Sequence, residues 1–245
     1  MSDISPLVES LSNSKAAGLS PVAAAALVAQ ACAGGSGAPP FEISPESLAQ
    51  ALEQVFPGSL TPAELAQIIH TQFPDLPALG VAEAVLAGLP GTSRADMLAA
   101  LVGAGLPAND SQGAVNILYP VTIAIQANQA WQAAGVTLTG QQVTHLAFVS
   151  GSWSANPADG TTGPDGYPQF PSARPGYTLP TAPQGAMIGR IGNNAPFLVG
   201  SAYVVQPGPT GDLSLCINDD LDGRYGMGLR DNFGALTFTI TTTGS

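Results

Sequence analysis

The residues best suited to chemistry are oxygen-bearing side chains crowded into one segment, from Cys216 to Ile240. The segment reads CINDDLDGRYGMGLRDNFGALTFTI, and its carboxylate and amide side chains are Asn218, Asp219, Asp220, Asp222, Asp231 and Asn232. Hard cations such as calcium prefer oxygen ligands of this kind. Without a cation, carboxylates placed so close together repel one another. The segment therefore predicts a calcium site.

The spacing within 218–223 matches the opening of a calcium loop. Oxygen-bearing side chains stand at alternate positions, a glycine follows where the chain has to turn, and Arg224 would offer its backbone carbonyl. Leu229 stands where an EF-hand has its bidentate glutamate, so the loop needs further oxygens, which Asp231 and Asn232 can supply. The alternative is a pair of polar turns, because Asp-Gly and Asp-Asn are ordinary turn sequences.

The elements that position this loop are β-type runs, which begin after Tyr119 and include both of its flanks. In order they are VTIAIQA, GVTLTG, VTHLAFVSGSW, AMIGRIG, FLVGSAYVV, GDLSLCI and ALTFTIT. Apolar and polar residues alternate in 121–125 and in 236–240, which is typical of strands with one buried face. A Gly- and Pro-rich stretch, 156–183, is expected to be a functional loop or one packed on itself. This half predicts an antiparallel β-sandwich or jelly roll.

The first hundred or so residues have the pattern of short helices. Hydroxyl residues precede proline at Ser20-Pro21, Ser44-Pro45 and Thr61-Pro62, and Ser93 begins a further capping sequence. Prolines and glycines in VFPG, QFPDLP and AGLPG end helices, and GGSGAPP at 34–40 is a loop. The pattern predicts about five helices in a small bundle. The fold class is therefore α+β in two domains, a helical domain at 1–112 and a β domain at 113–245.

Composition excludes several classes of function. Only 9% of residues are charged, and the net charge is −11 with six Lys and Arg, which argues against nucleic acid and against a basic membrane patch. No apolar run is long enough for membrane insertion. No GxSxG, phosphate loop or HExxH motif is present, and no pair of opposed carboxylates can be selected, so the sequence predicts a protein that is not an enzyme. Cys32 and Cys216 are expected to be buried free thiols.

Four pieces of the second half, taken in order, resemble the PA-IL-like galactophilic lectin domain, a calcium-dependent bacterial β-sandwich. The pieces are IAIQANQAWQAAGVTLTGQQV, SGSWSANPADGTTGPDGYP, GAMIGRIGNNAPFLVGS, and NDDLDGRYG with DNFGALTFTI. They span about residues 121–240, and the helical half has no part in the resemblance. The resemblance implies a calcium ion that coordinates vicinal hydroxyls of a galactose.

Carried across by position, the resemblance implies a ligand set in this loop and one residue outside it. Asp220 or Asp219 is the first carboxylate, since the loop is one residue longer here. The other ligands are the carbonyl oxygens of Arg224 and Asn156 and the side-chain oxygens of Asp231 and Asn232. Asp220, Asp231 and Asn232 would also contact the sugar. The family's sugar-contacting histidine and glutamine have no clear match here. Tyr167 and Gln169 are candidates in their place, and Phe170 is a further ring for stacking.

The resulting hypothesis is a calcium-dependent lectin that binds galactose-like glycans and carries a helical domain for assembly or attachment. Weak single-site sugar binding is normally offset by multivalency, so a homo-oligomer is expected. The alternative is a structural, self-assembling protein that keeps the lectin fold, with calcium only stabilising its loop. MSDISPLVESLSNSK lacks the pattern of a secretory signal, so a cytoplasmic location and export by a non-classical route both stay open.

Overall fold

The computed structural model describes residues 4–33 and 43–244, except the side chains of Cys32 and Ala33, and divides the chain into two compact units, 1–115 and 116–245. The described residues form seven α-helices followed by eight β-strands. The helices are α1 Ser5–Ala16, α2 Pro21–Ala33, α3 Pro45–Val55, α4 Pro62–Gln72, α5 Ala78–Gly88, α6 Arg94–Gly103 and α7 Ala108–Leu118. The strands are β1 Val121–Gln126, β2 Gln132–Thr139, β3 Gln142–Ser154, β4 Met187–Ile191, β5 Phe197–Leu198, β6 Ala202–Val205, β7 Thr210–Ile217 and β8 Phe233–Gly244. The α+β class is confirmed.

Helix starts in the first unit follow the predicted capping sequences. The hydroxyls of Ser44, Thr61 and Ser93 each accept a hydrogen bond from the backbone N–H three residues later. Thr61 forms a complete capping box, because the Glu64 carboxylate in turn accepts from the Thr61 N–H at 2.9 Å. The predicted number of helices, five, was too low among the described residues. Helix α1 begins without a side-chain cap, and the first half of α7 is polar, so neither gave a clear signal.

Three successive helices of this unit end in the same way. Phe56, Phe73 and Leu89 follow α3, α4 and α5, and each donates its N–H to the carbonyl four residues earlier at 2.7 to 2.8 Å. Helices two apart in sequence are neighbours, since α3 packs against α1 and α5 while α4 packs against α6. Their buried faces supply this unit's apolar core. No described helix combines the length and the hydropathy needed to cross a membrane.

The strands form two antiparallel four-stranded sheets, ordered β1-β8-β3-β6 and β2-β7-β4-β5. The alternation predicted for 236–240 is confirmed, because Leu236, Phe238 and Ile240 are buried and the residues between them are not. One hydrophobic core takes side chains from both sheets, including Phe238 from β8 and Leu215 from β7. The core therefore anchors β7 and β8, the two strands that carry the acidic loop between them.

One predicted run, FLVGSAYVV, was wrong as a single strand. It forms β5 and β6, which belong to different sheets, because the chain reverses at Gly200 with φ of 59°. The stretch 156–183 is irregular, as predicted, apart from a short 3₁₀-helix at Pro157–Asp159. Cys216 is a buried free thiol, also as predicted. The prediction for the Cys32 side chain and the predicted loop at 34–40 lie outside the described residues.

Candidate functional site

The acidic loop begins at the end of β7 with Asn218, whose side chain holds the neighbouring loop in place. Asn218 is fully buried, and its Nδ2 donates to the carbonyls of Leu179, Ala182 and Pro183 at 2.9, 3.2 and 3.0 Å. Its Oδ1 accepts from the Leu179 N–H at 2.9 Å. These bonds use the whole side chain to hold the neighbouring loop. The alternate-position pattern at 218, 220 and 222 therefore does not form one ligand set, since Asp222 is also exposed to solvent.

The next two residues, Asp219 and Asp220, are both buried at 3% exposure. Both carboxylate oxygens of Asp219 are hydrogen-bonded, Oδ1 by the Asp220 N–H at 2.7 Å and Oδ2 by the Asn232 Nδ2 at 2.8 Å. Burial, the largest cause, and the charges of Asp220 and Asp231 together raise the pKa of Asp219 to about 6, although the two hydrogen bonds act to lower it. Keeping the Asp219 carboxylate ionised in this buried position therefore costs free energy.

Asp220 differs from Asp219 in having one oxygen without a partner. Its Oδ2 accepts the backbone N–H of Tyr225, whereas its Oδ1 is buried and makes no hydrogen bond. The Oδ1 of Asn232 is in the same position, because that side chain's Nδ2 donates to Asp219 and to the Ala127 carbonyl. Buried oxygens are almost always partnered. Two buried acceptors of this loop thus remain available to a donor or a cation.

A cavity of about 260 Å³ lies over this loop and gathers residues from three parts of the β unit. Its lining consists of Ala155, Asn156, Tyr177, Gln184, Asp219, Asp220, Tyr225, Gly226, Met227, Gly228 and Asp231. No Lys, Arg or His of the described chain lines it, so three carboxylates share the space without a basic partner. The Asn156 carbonyl accepts the Asp159 N–H at 3.0 Å and keeps a second lone pair.

The loop keeps its path through two glycines in the left-handed region. Gly223 has φ of 71°, at the position where the sequence predicted a sharp turn. Gly228 has φ of 59°, and a Cβ there would lie 2.8 Å from the Asp220 carbonyl oxygen. Any other residue at this position would push the loop away from Asp220. The two glycines thus let the 223–228 segment pass close to the Asp220 backbone.

The structure brings most of the predicted ligands together, and it places Tyr167 and Gln169, the predicted sugar contacts outside the loop, away from this cavity. Asn156, Asp219, Asp220 and Asp231 line the cavity and Asn232 bonds to Asp219, while Arg224 is exposed outside the lining. Tyr167 is 2% exposed, with its hydroxyl bonded to Ser154 and to the Gly160 carbonyl, so no ring face is open. Gln169 and Phe170 are exposed and line no part of this cavity.

Three polar side chains of the cavity were not predicted from the sequence: Tyr177, Gln184 and Tyr225. The first two lie in the irregular 156–183 stretch or just after it, where no periodicity orders the residues. Tyr225 follows Arg224 in the lengthened acidic loop. Its closeness in sequence to the aspartates was the signal that could have identified it. Neither tryptophan lines the cavity, since Trp153 belongs to the core and Trp131 packs against it. Trp153 is fully buried, and half-buried Trp131 lies under the Arg190 guanidinium at 4.3 Å.

A further observation limits the kind of metal site that the cavity can form. Within residues 4–33 and 43–244, no three His, Cys, Asp or Glu side chains cluster tightly enough to hold a metal by themselves. A ligand set here therefore has to include amide and carbonyl oxygens.

A larger cavity, about 690 Å³, lies in the helical unit between the start of α3 and the α4–α5 connection. Asp75 is its one titratable lining residue, so that cavity offers no comparable chemistry.

No protein-family model matches this sequence, and no curated protein sequence matches it either. Among solved structures, one that is similar is the N-terminal domain of EclA, described as a PllA-like lectin. It is 23% identical, and the match covers 50% of this chain and 96% of that chain with a TM-score of 0.37. Similarity at that level does not carry function from one protein to another, so the residues of this chain have to carry the assignment.

Proposed function

We propose that this chain binds calcium in the acidic-loop cavity and, through the calcium ion, a galactose-like carbohydrate. The observation that carries the proposal is the pair of buried acceptor oxygens without a hydrogen-bond partner, Asp220 Oδ1 and Asn232 Oδ1, in a loop whose cavity is lined by three carboxylates. A hard cation satisfies acceptors and offsets carboxylate repulsion at the same time. The charge of −11 for the whole chain favours cation binding over anion binding.

The residues present fit an oxygen-coordinated cation. Asp220 and Asp231 would supply carboxylate oxygens, Asn232 its amide oxygen and Asn156 its backbone carbonyl, whereas Arg224, the other predicted carbonyl ligand, lies outside the cavity lining. Asp219 would act as an orienting residue, because its two oxygens already hold Asn232 and the Asp220 backbone. Calcium held there would supply coordination positions for neighbouring sugar hydroxyls. The Asp220 and Asp231 carboxylates would accept hydrogen bonds from those hydroxyls.

The finer fold and the assembly belong to the same proposal. The two sheets pack as a β-sandwich of the PA-IL-like lectin type, and the helical unit mediates assembly or attachment. A homo-oligomer raises the avidity of shallow single sites. A cavity of about 260 Å³ is slightly below the usual range for small-molecule pockets, which suits one sugar residue.

A structural role is the second candidate, and the exposed edge of the first sheet favours it. Strand β6 lies at that edge, and its residues Tyr203 and Val204 are 36% and 41% exposed. An apolar, uncharged edge strand is suited to contact with another subunit. In this reading calcium stabilises the loop and no sugar is bound.

The test compares two asparagine variants of the same loop. Asp220→Asn alters a cavity oxygen, whereas the matched control Asp222→Asn alters an exposed carboxylate outside the cavity. We expect calcium to raise the melting temperature of the wild type and of Asp222→Asn, because a ligand bound only by the native state adds about 2.7 kcal/mol at 100 times its Kd. Asp220→Asn should lose most of that increase.

Glycan-array binding with calcium or with a chelator completes the test, on the wild type and on Asp231→Ala. Binding that requires calcium and is lost in Asp231→Ala supports the lectin. Sugar binding that survives chelation contradicts the calcium-bridged mechanism. A calcium-stabilised protein that binds no glycan and forms large assemblies by light scattering favours the structural role.

A further inference from the structure

Two tyrosines that the calcium hypothesis does not use form one wall of the same cavity. Tyr225 and Tyr177 both line it, with ring centroids 6.1 Å apart and an angle of 20° between the ring planes. Tyr225 is 46% exposed although it lies beside buried carboxylates. Met227, 56% exposed, lines the cavity from the same loop. The cavity therefore has a polar floor and an aromatic, apolar rim.

The Tyr225 side chain is held at both ends. Its backbone N–H donates to the Asp220 carboxylate, and its hydroxyl donates to the Pro175 carbonyl of the facing loop. Gly176 lies against the ring, because a Cβ at that position would be 3.0 Å from the Tyr225 Cε2. Stacking on Tyr177 restricts the ring further. A ring fixed in this way loses little conformational entropy when a ligand packs on it.

A structural role in joining the two loops does not by itself account for the position of Tyr225. A tyrosine that only joined two loops would gain most by burying its ring, since burial of apolar area is what stabilises such a contact. Tyr225 instead keeps close to half of its surface open beside the cavity. Its hydroxyl is directed away to Pro175, which leaves the ring, and not the polar end, available there. The geometry points to a ligand with an apolar face.

A pyranose has both kinds of surface that this cavity offers. Its hydroxyls form polar edges, and the C–H bonds of its ring form apolar patches. In a galactose-configured pyranose the hydrogens on C3, C4 and C5 lie on one face, whereas in the C4 epimer, glucose, the hydrogen on C4 is on the other face. Aromatic faces are electron-rich and attract C–H bonds that carry partial positive charge.

We propose that Tyr225, supported by Tyr177, is the specificity-determining surface of this site and packs against the continuous C–H face of a galactose-configured pyranose. The inference rests on the proposed function, because the carboxylate floor has to engage the sugar's hydroxyls while the ring packs on its face. The acidic loop then has two tasks within a few residues. Asp220 serves the cation, and Tyr225, bonded to Asp220, selects the sugar.

The test is saturation-transfer NMR with calcium and free galactose, irradiating aromatic protein protons. We expect the strongest transfer to the galactose protons on C3, C4 and C5, and at least several-fold weaker binding of glucose. Tyr225→Ala should bind galactose about tenfold more weakly, while its backbone N–H still holds Asp220. Tyr225→Phe retains the ring and should stay within about threefold of the wild type. Tyr203→Ala is the matched control, an exposed tyrosine stacked on Phe197 outside the cavity.

The calcium-induced rise in melting temperature, measured on every variant, separates the outcomes. Equal galactose affinity in Tyr225→Ala and the wild type overturns this inference and leaves the proposed function intact. Loss of the calcium-induced rise in Tyr225→Ala also overturns it, because the residue would then act by holding the cation site. Calcium binding with no sugar binding in the wild type contradicts the proposed function itself.

Discussion

Two adjacent aspartates in the acidic loop have different tasks that their sequence positions do not distinguish. Asp219 bonds through both oxygens, and Asp220 leaves one buried oxygen without a partner. The choice between them as first metal ligand was open from the sequence. The hydrogen-bond pattern favours Asp220, because its buried Oδ1 has no partner, whereas each oxygen of Asp219 already accepts a hydrogen bond.

The buried thiol of Cys216 gives a pH-dependent prediction at the residue scale. Burial raises its pKa from 9.0 to about 11, so the native state keeps the thiol proton more tightly than the unfolded chain does. The stabilising effect is complete below about pH 9 and is lost as the pH rises through about 11. At pH 10 the loss is about 1 kcal/mol of the unfolding free energy.

The measurement uses Cys32→Ser, in which Cys216 is the one thiol, against Cys32→Ser/Cys216→Ala. The unfolding free energy of the first variant should fall more steeply between pH 9 and 11 than that of the second. At pH 8 a thiol reagent should modify the native protein slowly and the unfolded protein fast. Equal pH slopes, or fast modification of the native protein, would show that Cys216 is not held as described.

At the scale of elements, features formed by residues close in sequence could be predicted, and features formed by residues distant in sequence could not. The caps at Ser44, Thr61 and Ser93 are local and were predicted from sequence. The acidic cluster was also visible, since its members lie within a few residues. The division of FLVGSAYVV between two sheets depends on strand pairing and could not be predicted. The same is true of Tyr177 and Gln184, which reach the cavity through tertiary contacts.

The capping box of α4 gives a prediction at this scale. Thr61→Ala removes the hydroxyl that accepts from the Glu64 N–H, and it should cost the helical unit about 1 kcal/mol of unfolding free energy. Thr71→Ala is the matched control near the other end of the same helix, where the hydroxyl donates to the Gln67 carbonyl within the helix. Chemical denaturation measures both variants. An equal loss in the two variants would contradict a specific role for the cap.

At the scale of the whole molecule, each unit has its own hydrophobic core. Leu52, Leu65 and Leu101 are fully buried in the first unit, and Trp153, Leu215 and Phe238 are fully buried in the second. Separate cores allow separate unfolding, and a single free energy of unfolding does not then describe the chain. The two units can thus be perturbed one at a time, the first through its helix caps and the second through the acidic loop.

Calorimetry of the full chain should therefore show two transitions that respond to different changes. Calcium should raise the transition of the β unit, because the cavity and all its lining residues belong to 116–245, and should leave the other unchanged. Thr61→Ala should lower only the transition that calcium does not move, which identifies it as the helical one. Asp220→Asn should abolish the calcium effect without altering the helical transition. A single transition that calcium and Thr61→Ala both shift as a whole would mean that the two cores unfold cooperatively.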